Sequence, residues 1–179
     1  NRLNPMKTET EEMWRRLESA LCGTVPLLVT FVLVILCAVP YGVPGLSLVM
    51  PLLPLISVYF WAVHRPDLTP AIGHFLIGLL QDILVGTPIG LSAAMFVGIH
   101  AAVHYQRPFF HGKTFLVLWF SFALLITMIS LCSYTAVAIY SFLLPPAFPV
   151  LLQLLLTIAL YPLLTRIFQS ILRVLIRTI

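Results

Sequence analysis

Six long apolar runs alternate with short connectors in this chain, and its ten basic residues all lie outside those runs. Counted from an N-terminus placed inside the cell, Arg2, Lys7, Arg15, Arg16, Arg65, Arg107, Lys113, Arg166, Arg173 and Arg177 fall on one side of a membrane. The three connectors on the other side carry no formal charge. Multi-span membrane proteins show this asymmetry, with lysine and arginine in excess in the cytoplasmic loops. Composition argues against a soluble domain, since 60% of the residues are hydrophobic and only 9% charged. The expected fold is an all-α polytopic membrane protein, a single domain of six transmembrane helices with both termini cytoplasmic. The net charge of +4 does not point to nucleic acid, because the basic residues are scattered singly rather than massed in a stripe.

Residues 1–21 are polar at first and lack the order of a cleavable signal, so they are expected to stay inside as an interfacial helix. Thr8 and Glu11 fit a capping box at its start. The spans are expected at about 24–40, 46–63, 70–86, 89–106, 114–144 and 147–165. Pro51 and Pro54 predict a break or kink in the second, because proline removes a backbone donor and disfavours helix at the residue before it. The fifth run is too long for one perpendicular crossing and has to tilt or protrude. Pro162 predicts a kink near the inner end of the sixth. Residues 166–179 form an amphipathic pattern, with Arg166, Ser170, Arg173 and Arg177 opposite Ile167, Phe168, Ile171, Leu172, Leu175 and Ile179. That pattern suits a helix lying on the anionic inner leaflet, or a docking face for a partner.

Asp82 is the only acidic residue inside a long apolar run. A carboxylate at mid-bilayer opposes insertion by roughly 2.5 to 3.5 kcal/mol, and by less toward a helix end, so its presence needs a reason. Three are open: it reaches the headgroup layer, it accepts hydrogen bonds from Ser, Thr or backbone donors on neighbouring spans, or it accepts them from a partner's segment. Gly78, Asp82 and Gly86 share one helical face, and the next span carries a second small-residue stripe, Gly90, Ala94, Gly98 and Ala102. Joined by the turn around Pro88, these stripes predict a tight hairpin, because helix association in lipid relies on close packing.

The sequence offers little for catalysis. It has no second membrane-embedded acid, no intramembrane Lys or Glu, and no metalloprotease motif. His74, His100 and His104 are the best metal-ligand candidates, with the last two spaced i, i+4. If the stripe through Ala94 and Gly98 faced the third helix, His100 would turn away from His74, so neither a metal nor any other cofactor is expected. Cys22, Cys37 and Cys132 have no paired or ligand spacing and read as small hydrophobes. A competing class is a small-molecule (vitamin-like) binding transporter subunit, to which Ser130, Ser133, Tyr134 and Thr135 would contribute polar groups.

His64-Arg65-Pro66-Asp67, followed by Gly78-Leu79-Leu80-Gln81-Asp82 with Gly86, Pro88, Gly90 and Leu91, closely resembles the core of the MreD family of bacterial rod shape-determining membrane proteins. Pro51, Pro54, Leu55, Tyr59, Trp61 and Ala62 resemble the second span of that family. Arg107, Phe109, Phe110, Gly112, Lys113, Phe115 to Trp119, Leu151 to Gln153 and Ala159 to Leu164 are similar to its alphaproteobacterial branch. The resemblance implies a non-enzymatic scaffold of the elongasome in the bacterial inner membrane. It implies MreC as direct partner, and MreB, RodA and a class B penicillin-binding protein within the assembly. It also implies a likeness to the S components of energy-coupling-factor transporters, which concerns fold and not function. Candidate partner-contact residues are Gly78, Asp82, Gly86, Pro88, Gly90, Ala94 and Gly98 in the membrane, with Arg65, Arg107, Phe109, Phe110 and Lys113 at the cytoplasmic surface.

The charge pattern makes a topological prediction. Alkaline phosphatase fused after Ile89 or Pro146 should be active, and fused after Arg65 or Lys113 inactive; activity after Lys113 would reverse the assignment.

Overall fold

The computed structural model describes residues 24–39, 49–65, 69–110, 114–142 and 145–178, apart from the side chains of 107–110 and 174–178. The expected N-terminal helix with its capping box, the outer turn at 40–45, and Pro66, Asp67, Lys113 and Cys22 lie outside those residues. Among the described residues all regular structure is helical: α1 (Thr24–Ala38), α2 (Leu53–His64), α3 (Ala71–Val85), α4 (Leu91–Phe110), α5 (Phe115–Ser141) and α6 (Ala147–Thr178).

Two of these helices are long and apolar enough to cross a membrane alone, Phe115–Ser141 and, within α6, Ala147–Arg173. Each has 27 residues, about 40 Å of helix at 1.5 Å per residue. Little of either is buried by the rest of the protein, and large apolar side chains such as Phe120, Leu124 and Ile139 stand exposed. In water such a surface would be an aggregation or binding patch, whereas hydrocarbon is its matching solvent. α1, α2 and α3 are apolar but shorter.

The axis of the molecule is α2. Its residues Pro54 to Ala62 are buried without interruption, so its neighbours cover every side of it. α1 lays Pro26, Thr30 and Val34 along it at four-residue spacing, and the Thr30 and Ser57 hydroxyls meet at 2.9 Å. α6 offers Thr157, Tyr161, Thr165 and Phe168. Tyr59, Phe122 and Tyr161 form one aromatic cluster with ring centroids 4.6 to 5.9 Å apart, Phe122 stacked on Tyr161 and Tyr59 edge-on to Tyr161. The Tyr59 hydroxyl donates to the Leu118 carbonyl of α5.

The prolines show how this backbone is satisfied where water cannot help. The second apolar run breaks at its prolines as expected: its helix starts only at Leu53, with Pro54 in the first turn where a missing N–H costs nothing. The non-helical backbone ahead of it is held by α6: Gln153 donates to the Met50 carbonyl at 2.7 Å, and Thr157 Oγ1 accepts from the Leu52 N–H at 3.0 Å. Pro162 sits inside α6 and leaves the Ile158 carbonyl without its helical donor. The indole N–H of Trp119 on α5 fills that position at 3.1 Å. α6 then continues through the region expected to lie on the leaflet as an amphipathic helix. Phe168 folds back against Phe60 and Trp61, so part of the apolar face is consumed within the protein.

Trp119→Phe should therefore destabilise the fold by about 1–3 kcal/mol, the cost of orphaning a carbonyl that lipid cannot satisfy. With Pro162→Ala, which restores a helical donor, the same change should cost about 1 kcal/mol less. Strictly additive losses in detergent thermal unfolding would refute the pairing.

Candidate functional site

Only three residues of α3 are buried, His74, Gly78 and Asp82, one per turn along a single line. A Cβ added at Gly78 would come within 2.5 Å of the Ala93 Cα, so α3 and α4 touch backbone to backbone there. Gly86 then ends α3 in the left-handed conformation (φ 76°), with its N–H and that of Thr87 both donating to the Asp82 carbonyl. Gly90 is left-handed too (φ 97°) and starts α4, while the Pro88 carbonyl accepts from the Leu91 N–H.

The Asp82 side chain closes this turn. It is 1% exposed. Its Oδ1 accepts from the Thr87 hydroxyl at 2.7 Å and the Ser92 N–H at 2.9 Å, and its Oδ2 accepts from the Gly90 N–H at 2.8 Å. A helix N-terminus presents unsatisfied N–H groups and a partial positive charge, and Asp82 supplies an acceptor for both from the preceding helix. Of the three readings open for it, the structure shows the hydrogen-bonded one.

The family model for the rod shape-determining protein MreD matches residues 15–171. The chain belongs to the MreD family. No curated protein and no solved structure matches it. MreD proteins are membrane proteins that determine rod shape, and the apolar helices of this chain are those of a membrane protein.

The clasp fixes the rotation of α4, and with it the fate of the remaining candidates. Pulling the Gly90 and Ser92 amides onto Asp82 turns Ser92, Ala93, Phe96, Ile99 and Val103 inward. The stripe expected to face α3 is therefore misassigned beyond the turn. Ala94 and Gly98 are exposed, and among the described residues nothing lies within 4 Å of a Cβ added at Gly98. Ala94, Gly98 and Ala101 form an open lane of small residues ending at exposed Tyr105. The same rotation overturns the expected separation of His74 and His100, whose rings lie 5.2 Å apart, with His104 next along the helix at 6.5 Å. No three His, Cys, Asp or Glu side chains among the described residues are placed to share a metal ion.

At the end of the bundle away from the α3–α4 turn, Arg65 is half-buried and follows α2, while the backbone of Arg107, Phe109 and Phe110 extends α4 four residues past the expected end of the fourth span. Of the hydroxyl residues singled out on α5, Ser130, Ser133 and Tyr134 line a cavity of about 250 Å³ at the turn end of the bundle. Thr135 is exposed and donates to the Cys132 carbonyl of its own helix. Sequence reasoning gave no role to Gln153, Thr157 or Trp119. The signal was a proline within an apolar run, which calls for a compensating donor or acceptor from another helix.

Asp82→Leu should orphan two backbone N–H groups and one hydroxyl, at about 1–3 kcal/mol for each fully buried group, and Asp82→Asn should lose about one such bond. Gly78→Ala should lower folded yield, whereas Gly98→Ala should leave it unchanged; equal thermal stability of Asp82→Leu and the parent would refute the clasp.

Proposed function

We propose that the chain is a non-enzymatic scaffold of the bacterial inner membrane, with six spans and both termini in the cytoplasm, that binds the transmembrane helix of MreC. Through MreC it helps organise side-wall peptidoglycan synthesis with MreB, RodA and a class B penicillin-binding protein. Membership of the MreD family carries this reading. The fold-level likeness to transporter S components belongs to it as well, without their activity.

The open lane on α4 supports a contact face. Helices in lipid associate where small residues let backbones approach, and among the described residues Ala94, Gly98 and Ala101 are exposed, with nothing within 4 Å of a Cβ added at Gly98. Gly78, Asp82, Gly86, Pro88 and Gly90 act inside the hairpin and hold α4 in that rotation. Arg65, Arg107, Phe109, Phe110 and Lys113 form the cytoplasmic contact region of the same reading.

A variant with Cys22, Cys37 and Cys132 replaced by Ala, carrying Gly98→Cys or Ala94→Cys, should crosslink to a cysteine placed in the MreC helix, and Leu124→Cys on α5 should not. Gly98→Leu should reduce co-purification of MreC about tenfold, equivalent to about 1.4 kcal/mol, with thermal stability unchanged. Crosslinks confined to α5 and α6 would reject the lane.

A further inference from the structure

The cavity at the turn end of the bundle lies where α1, α2, α3, α4, α5 and α6 converge, beside the non-helical start of α2. Its walls carry uncharged polar groups, among them Gln81, Ser130, Ser133 and Gln153, and no charged side chain among the described residues. Two of these are unusual. Thr127, Thr135 and Ser141 on α5 each donate to a carbonyl of their own helix, as membrane hydroxyls commonly do. Ser130 does not, and its Oγ and the Gln81 Oε1 are buried without a hydrogen-bond partner among the described residues. Buried polar atoms are rarely left so, which points to an occupant that supplies the missing bonds.

A volume of about 250 Å³ falls below the usual range for a whole drug-sized ligand, roughly 300 Å³ and upward, so the cavity suits a head group. The remainder of such a molecule has a place to go. Ser130, Tyr134 and Val150 also border a second space of about 380 Å³ between α5 and α6, lined otherwise by Thr127 and by apolar residues such as Leu131, Phe148 and Leu154. The two spaces share a wall, one with uncharged polar groups set among apolar side chains, the other a hydrocarbon-like groove.

We propose that this end of the bundle holds one uncharged lipid, its hydroxyl-bearing head in the cavity against the polar groups of Ser130 and Gln81, and its hydrocarbon chain in the groove between α5 and α6. The absence of basic side chains from the lining excludes a phosphate head, since a buried anion needs a paired charge. Diacylglycerols, monoacylglycerols and free polyprenols share the required chemistry. The site does not depend on the scaffold reading, because the open lane of α4 plays no part in it.

The test uses the full chain in phospholipid nanodiscs with a monoacylglycerol carrying a photoreactive diazirine in its acyl chain. Adducts should concentrate on Leu131, Phe148 and Leu154. Phosphatidylglycerol with the same photoreactive chain should label them about tenfold less. Ser130→Val combined with Gln81→Leu should cut monoacylglycerol labelling by a similar factor. Competition by unlabelled diacylglycerol or by unlabelled polyprenol would each support the site and tell the two sources apart. Adducts spread evenly over exposed positions such as Leu116 and Leu124 would show annular lipid only and overturn the proposal. Equal labelling by phosphatidylglycerol, or a partner helix crosslinked across the groove in the MreC complex, would overturn it as well. The parent chain alone decides the first two of these, whatever the variants do.

Discussion

Hydrocarbon offers no hydrogen bonds, and that fact governs this structure more than any single contact. Every backbone group that a helix cannot satisfy has to find a protein partner. The sequence creates such groups deliberately, with Pro51 ahead of α2, Pro162 inside α6 and a two-glycine turn between α3 and α4. Each is answered from another helix: Met50 and Leu52 by Gln153 and Thr157, Ile158 by Trp119, and the start of α4 by Asp82. In lipid, apolar contact gives little reason for one helix to prefer another. These directional bonds therefore set which helices meet and in what register, and shape-fitted packing of the aromatic cluster around α2 follows.

Asp82 shows how far one such bond set reaches. A helix is a rigid cylinder at this length, so fixing two amides at its first turn fixes the bearing of every side chain below. With Gly90 and Ser92 held on the carboxylate, Ala93 meets Gly78, His100 meets His74 two turns further on, and Ala94 and Gly98 face outward. A single acidic residue in the membrane thus determines both an internal interface and the surface left for others.

This is also where the sequence stops being legible. The number of apolar runs, the break ahead of α2, the close approach at Gly78 and the tight turn after Gly86 could be read from composition, proline and glycine. The rotation of α4 could not. Its stripe at 90, 94, 98 and 102 and its stripe at 92, 96, 99 and 103 are both plausible inner faces, one small and one bulky. Periodicity does not distinguish them, and a hydrogen bond between residues eight to ten apart does. Reading the small stripe as the buried one sent His100 to the wrong side. The roles of Trp119 and Gln153 were hidden for a related reason, since a donor for an orphaned carbonyl can come from any neighbouring helix, and sequence spacing does not say which.

The two small-residue stripes end up with opposite uses, and the difference follows from what surrounds them. Gly78 is small because a backbone lies against it, and a larger side chain there would force the hairpin apart. Among the described residues nothing would touch a Cβ at Gly98, so their packing gives no reason for glycine at a mid-helix position that it weakens by about 1 kcal/mol relative to alanine. A residue that costs the helix something and returns nothing to the packing of its own chain makes sense when the return comes from outside it. In a membrane, that return is another helix close enough to need the space.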